Sequence, residues 1–199
     1  MTTGTDTASR RRFLRLTVGA GGLTVGALLS AGAPRLAFSG SMQARDVEVL
    51  NYALLLEELQ AAFYRQALAG GALSGELRDF AEVVAGHERE HVRLLRDALG
   101  ASARTVPRFA FGKAVSDPGR FAATALELED LGVAAYNGQA VNLSKPALQA
   151  AARIVSVDAR HAAWIRAIRG RPPAAKPTDS PMTRRQVLAE VDRTGFVRS

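Results

Sequence analysis

Glu57-Glu58-Leu59-Gln60-Ala61-Ala62-Phe63-Tyr64 is echoed further along the chain by Glu129-Asp130-Leu131-Gly132-Val133-Ala134-Ala135-Tyr136. Each octet sits inside a longer segment of 3.6-residue period, and each puts a carboxylate on the side where that period predicts a buried stripe. In the first segment Leu50, Leu54, Glu57, Ala61, Tyr64 and Leu68 fall on one stripe; in the third, Ala122, Leu126, Glu129, Val133, Tyr136, Ala140 and Leu143 do. Two further stripes follow the same rule, Leu77, Ala81, Val84, Glu88, His91, Leu95, Ala98 and Ala151, Ile154, Asp158, His161, Ile165, Ile168. No alternating strand pattern survives past residue 45. The chain is therefore read as all-α, with four amphipathic helices.

Punctuation places the ends. Gly70-Gly71 and Gly100 stop helices one and two, as C-terminal glycines do. Asp117-Pro118 opens helix three, and Ser144 with Pro146 opens helix four. Short links make helices one and two, and three and four, antiparallel hairpins. The 17 residues from Ala101 to Asp117 carry Pro107 and Gly112 and no helical pattern. A link that long can run the length of a bundle, which predicts one long crossover between helices two and three. The bundle spans 46–169. A Pro-rich tail, 170–199, then carries the capping box Thr183 to Gln186 and one short helix, Gln186 to Val191, expected to pack outside the bundle.

The carboxylates decide the chemistry. An unpaired buried carboxylate costs several kcal/mol, and four of them exceed what a marginally stable domain tolerates uncompensated. They can stay protonated, pair with cations, or bind metal. None of the arginines lies on a stripe, and protonation leaves the histidines unexplained. The chain has 3 His, and two of them, His91 and His161, stand three residues after an acid, which places both groups on one helix face. The second halves repeat as well: Glu88-Arg89-Glu90-His91 matches Asp158-Ala159-Arg160-His161, 31 residues after Glu57 (57 to 88) and 29 after Glu129 (129 to 158). Hard oxygen donors from all four helices plus two imidazoles suit a dinuclear iron or manganese site.

At these residues the sequence resembles the ferritin-like proteins, especially the bacterial desiccation-related group. The likeness is carried by Leu56-Glu57 with Phe63-Tyr64, Glu88 to His91 with Val92, Glu129 to Tyr136 and Arg160-His161-Ala162, and it runs from about Asp46 to Arg169 with an echo in Pro181 to Phe196. The resemblance implies a ferritin-like bundle holding two Fe or Mn ions. In it Glu57 and Glu129 are terminal ligands, Glu88 and Asp158 bridge, and His91 and His161 each bind one metal. Asp158 departs from the family's usual Glu by one methylene. Tyr64 and Tyr136, two turns past their glutamates, are expected to pack in the core and to hydrogen-bond ligands. Glu58 and Glu90 leave the stripe and are expected in solvent. His87 is read as a surface group or one that backs a ligand, and Trp164 as packing alone.

The remaining features bear on location. The chain has 199 residues, no cysteine and a net charge of +7. Zero cysteine excludes a disulfide scaffold and thiolate chemistry. Residues 1–39 hold five Arg and one acid, so most of the excess charge is N-terminal, and nucleic acid is not an expected partner. Ser9-Arg10-Arg11-Arg12-Phe13-Leu14-Arg15, followed by an uncharged run from Leu16 to Ala33, resembles a twin-arginine export signal. Segment 1–39 is thus expected to engage the twin-arginine machinery and to be the sole membrane contact, cleaved or kept as an anchor. The expected location is the periplasm, the extracellular space or the cell envelope. Two functions are carried forward: oxidative metal chemistry involving ferrous iron, oxygen or peroxide, or a structural stress protein with a vestigial site. Homo-oligomerisation is left open.

Overall fold

The computed structural model describes residues 42–198, and the expected export signal lies outside them. Four long helices carry the architecture: α1 (Ala44–Ala69), α2 (Gly75–Leu99), α3 (Pro118–Gln139) and α4 (Lys145–Ile168), followed by the short α5 (Arg184–Thr194). The expected all-α four-helix bundle with a C-terminal helix is what forms. No helix among the described residues is long and apolar enough to cross a membrane.

Side-chain pairings fix the directions. Tyr64 meets Glu129 while Tyr136 meets Glu57, so α1 and α3 run antiparallel. His87 meets His161 while His91 approaches Asp158, so α2 and α4 do too. Since each hairpin is also antiparallel, α2 and α3 point the same way, and the link between them must return along the bundle. It does so beside α1. Asn51 accepts from the Arg104 N–H and donates to the Ser102 carbonyl, and Gln66 donates to the Phe109 carbonyl. From residue 51 to residue 66 the helix rises about 22 Å. The long crossover is therefore present.

The ends hold two differences from expectation. Asp117 caps α3 by accepting from Arg120 N–H at 2.7 Å, as its sequence position predicts. Ser144 does not cap α4 with its side chain. Instead its backbone N–H and hydroxyl both donate to Asp46, at 2.8 and 2.6 Å, which ties the start of α4 to the first turn of α1. The link and the C-terminus also pair as a minimal antiparallel ladder, β1 (Arg108–Phe109) with β2 (Val197–Arg198), too short to leave a period-2 signal.

The tail does pack outside, and α5 is longer than the capping box alone indicated. Thr183 and Gln186 close the box, Val187 and Val191 are buried, and Met182 N–H donates to the Ala134 carbonyl at 3.0 Å. Gly138 makes this approach fit, because a Cβ there would stand 1.8 Å from the Met182 carbonyl oxygen.

Two apolar clusters fill the bundle. One gathers Phe63, Tyr64, Phe80, Phe111 and Phe121, with ring centroids 5.1–5.9 Å apart. The other gathers Leu50, Leu54, Leu95, Leu99 and Ile154. Burying each such side chain contributes about 1.5–3 kcal/mol, which is how the bundle offsets a polar centre. Along all four helices the acids and histidines fall between these clusters.

Candidate metal centre

Each of the four helices places one acid at mid-length on its inward stripe, and α2 and α4 add a histidine less than one turn later. The structure brings all six together. Glu57, Glu88, His91, Glu129, Asp158 and His161 are each at most 5% exposed, so their charges cannot be relieved by water. They form two sets, Glu57–Glu88–His91–Asp158 and Glu88–Glu129–Asp158–His161, and within each set one donor atom per residue lies within 4.8 Å of the others. Glu88 and Asp158 belong to both.

Both imidazoles turn Nδ1 inward. His91 Nδ1 is 3.2 Å from Glu57 Oε2 and 3.4 Å from both Glu88 Oε2 and Asp158 Oδ1. His161 Nδ1 is 3.2 Å from both Glu88 Oε1 and Glu129 Oε2. Each histidine is thus hydrogen-bonded to the glutamate of the helix paired with its own, His91 with Glu57 and His161 with Glu129.

The tyrosines are exchanged between hairpins. Tyr64, on the helix of Glu57, donates its hydroxyl to Glu129 Oε1 at 2.5 Å; Tyr136, on the helix of Glu129, donates to Glu57 Oε1 at 2.7 Å. Each glutamate therefore keeps Oε1 on a phenol and turns Oε2 toward the centre. Burial, reinforced by the glutamate it contacts, pushes each phenol well above its ordinary value, so both remain neutral donors.

The shared acids are different. Neither oxygen of Glu88 and not Oδ1 of Asp158 has a hydrogen-bond partner, although all three are buried. Burial, followed by the charge of Glu57, drives Glu88 well above its ordinary value; burial and the charges of Glu57 and Glu88 do the same to Asp158. Burial also penalises charge on Glu57, but the hydrogen bond and charge of His91 outweigh it and hold Glu57 below its ordinary value. Burial opposes the charged form of His91, yet the hydrogen bond of Glu57 and the nearby carboxylate of Glu88 prevail and push it up to about 11. Protons are standing in for positive charge. Orphaned carboxylate oxygens and inward imidazole nitrogens are the donor set a hard or borderline divalent cation takes, so the residues fit such an ion.

Several neighbours resolve as well. Glu58 pairs with Arg96 at 2.9 Å and Glu90 with Arg93 at 2.9 Å, both off the stripe as expected. Trp164 packs edge-on against Phe80 but also donates its indole N–H to Glu76 at 3.2 Å, so packing is not its whole role. His87 is exposed, as a surface group, and also backs a site residue, its Nδ1 2.9 Å from His161 Nε2. Sequence reasoning missed Gln60, whose amide donates to Glu129 Oε1 at 3.2 Å. It lies three residues after Glu57, on the same face, and that spacing was the available signal. Its counterpart in the repeat is Gly132, where a Cβ would come within 3.4 Å of the Gln60 amide.

None of the curated proteins compared with the chain matches it. The family described as the ferritin-like domain matches residues 45–171, which takes in all four helices and all six inward acids and histidines. By that match, which spans well over half of the sequence, the chain belongs to the ferritin-like family.

Proposed function

We propose that the two overlapping donor sets hold two divalent cations, iron or manganese, and that the protein performs oxidative metal chemistry after export. The observation that carries this reading is the pair of shared acids: Glu88 and Asp158 are buried, lack partners for three of their oxygens, and fall within reach of both sets. Four carboxylates against two divalent cations also leave the buried centre neutral. When bound, such a pair of ions supplies one-electron steps suited to ferrous iron, oxygen or peroxide.

The protein's own groups do the rest. Glu57 with His91, and Glu129 with His161, cap one position each, while Glu88 and Asp158 serve both. Tyr64 and Tyr136 fix the rotation of the capping glutamates. The aromatic and leucine clusters keep bulk water from either end of the centre. The twin-arginine reading of Arg10 to Arg15 complements this, because that route moves folded proteins and lets a metal be acquired first. It favours a periplasmic, extracellular or envelope location and a place in the desiccation-related group. A structural envelope protein with a vestigial site is the competing reading, and its support is the short Asp158 side chain; yet Asp158 lies within both donor sets.

The test is metal per chain by elemental analysis after anaerobic loading with ferrous or manganous ion. Uptake near two per chain is expected, unchanged by Glu58→Ala and lost in Glu88→Ala. If the parent chain retains no metal under any loading condition, the structural reading replaces this one.

A further inference from the structure

The bundle has an approximate internal twofold that exchanges α1 with α3 and α2 with α4. Glu57 maps to Glu129, Tyr64 to Tyr136, Glu88 to Asp158 and His91 to His161. One partner of the histidines breaks it. His161 Nε2 lies 2.9 Å from His87 Nδ1, and with centroids 5.1 Å apart and planes 15° apart the two rings meet edge to edge. The residue at the matching place before Asp158 is Val157, which offers no acceptor. Among the described residues His91 Nε2 makes no hydrogen bond to the protein.

Resting on the reading that the site holds two cations, we infer that His87 is a positioning residue that makes the two metal positions unequal, the Glu129–His161 position filling first. The chemistry follows from tautomers. A histidine that offers Nδ1 to a cation carries its proton on Nε2. In His161 that proton is donated to His87 Nδ1, which holds the ring plane and makes Nδ1 a better donor; in His91 nothing in the protein does so. Partners of this kind typically change metal affinity by about 10–100-fold. The other breaks in symmetry act on the carboxylates, where Asp158 stands opposite Glu88 and the partners of Glu57 and Glu129 differ. Both glutamates carry one tyrosine, and Gln60 adds a single longer contact to Glu129. His87 is the only one of these groups that acts on an imidazole.

The experiment is calorimetric titration of the metal-free full chain with manganous ion, repeated with cobaltous ion while its visible bands are followed. The parent chain is expected to bind in two steps separated by about 10–100-fold. His87→Phe, which keeps an aromatic ring without an acceptor, should weaken the tighter step by that factor and merge the two. His87→Asn, whose side-chain oxygen can occupy the place of Nδ1, should restore the separation. In a His161→Ala background, where the remaining position has no link to His87, His87→Phe should change nothing; in a His91→Ala background it should weaken binding. A purely structural role for His87 would affect both backgrounds alike, and that result overturns the inference. So do two equal steps in the parent chain. Two equal steps leave the two-cation reading standing, whereas a parent chain that takes up neither ion overturns that reading and the inequality with it.

Discussion

Glu88 offers the sharpest separation between what the centre costs and what it is for. It is fully buried, neither oxygen is hydrogen-bonded, and it stands within 4.8 Å of donor atoms of Glu57, Glu129, Asp158 and both histidines. Two unit charges at that distance repel by about 3.5 kcal/mol at an effective dielectric constant near 20. Glu88 escapes part of this by holding a proton, so relief on neutralisation is put at about 2 kcal/mol. Glu88→Gln keeps the shape, removes the charge, and offers an amide that the neighbouring carboxylates can accept. In chelator, the variant should therefore melt about 4–8 °C above the parent chain. With metal the order should reverse. A cation at a hundredfold excess over its dissociation constant stabilises the parent by about 2.7 kcal/mol, or about 5–10 °C, and the variant, lacking an acid common to both sets, should gain almost none of it. Differential scanning calorimetry with and without manganous ion reads both effects. A variant that is less stable than the parent in chelator, or that keeps the full metal-induced shift, would refute the reasoning.

Other expectations follow from other parts of the molecule. Gly138→Ala gains about 1 kcal/mol of helix propensity, but its Cβ would stand 1.8 Å from the Met182 carbonyl oxygen, a backbone clash relieved only by displacing the segment that makes the Met182–Ala134 hydrogen bond. The melting temperature should fall, while tryptic cleavage after Arg184 or Arg185 should accelerate several-fold; an unchanged cleavage rate contradicts the proposed displacement. Glu88 and Asp158 sit above their ordinary values, so their contribution to the stability of metal-free protein is present at low pH and is lost as pH rises through the raised values. Cations require them ionised, so the metal-induced rise in melting temperature should grow from about pH 5 to about pH 8; equal rises at both ends count against the shared-acid assignment. Replacing Arg10 and Arg11 by Lys should retain the protein in the cytoplasm on fractionation, and unchanged export would point to another route.

What the sequence makes legible is which face of each helix turns inward. A period of 3.6 assigns Glu57, Glu88, Glu129 and Asp158 to buried stripes without any knowledge of neighbours, and the capping residues mark the ends. It does not say which helix lies opposite. That is why the phenols could be assigned to carboxylates in general, while the exchange of Tyr64 and Tyr136 between hairpins emerges only in three dimensions. The same limit applies to Ser144, a good cap by local rules, whose hydroxyl is drawn instead to Asp46 at the far end of the chain's helical region. Gln60 is another kind of miss: its position was legible, but an amide on a buried stripe attracts less notice than an acid. The two-residue ladder from Arg108 to Val197 is too short for any periodicity to register.

The exchanged tyrosines have a consequence for how the centre is inherited and assembled. Residue i of one hairpin supports residue j of the other, and the converse holds, which is the form of an isologous contact between two copies of one subunit, here written into a single chain. Neither hairpin holds a finished half of the centre. A hairpin folding alone would present a glutamate with no phenol and a phenol with no glutamate. The inward geometry comes into being only at docking, and any change in one repeat is judged by its fit to the other.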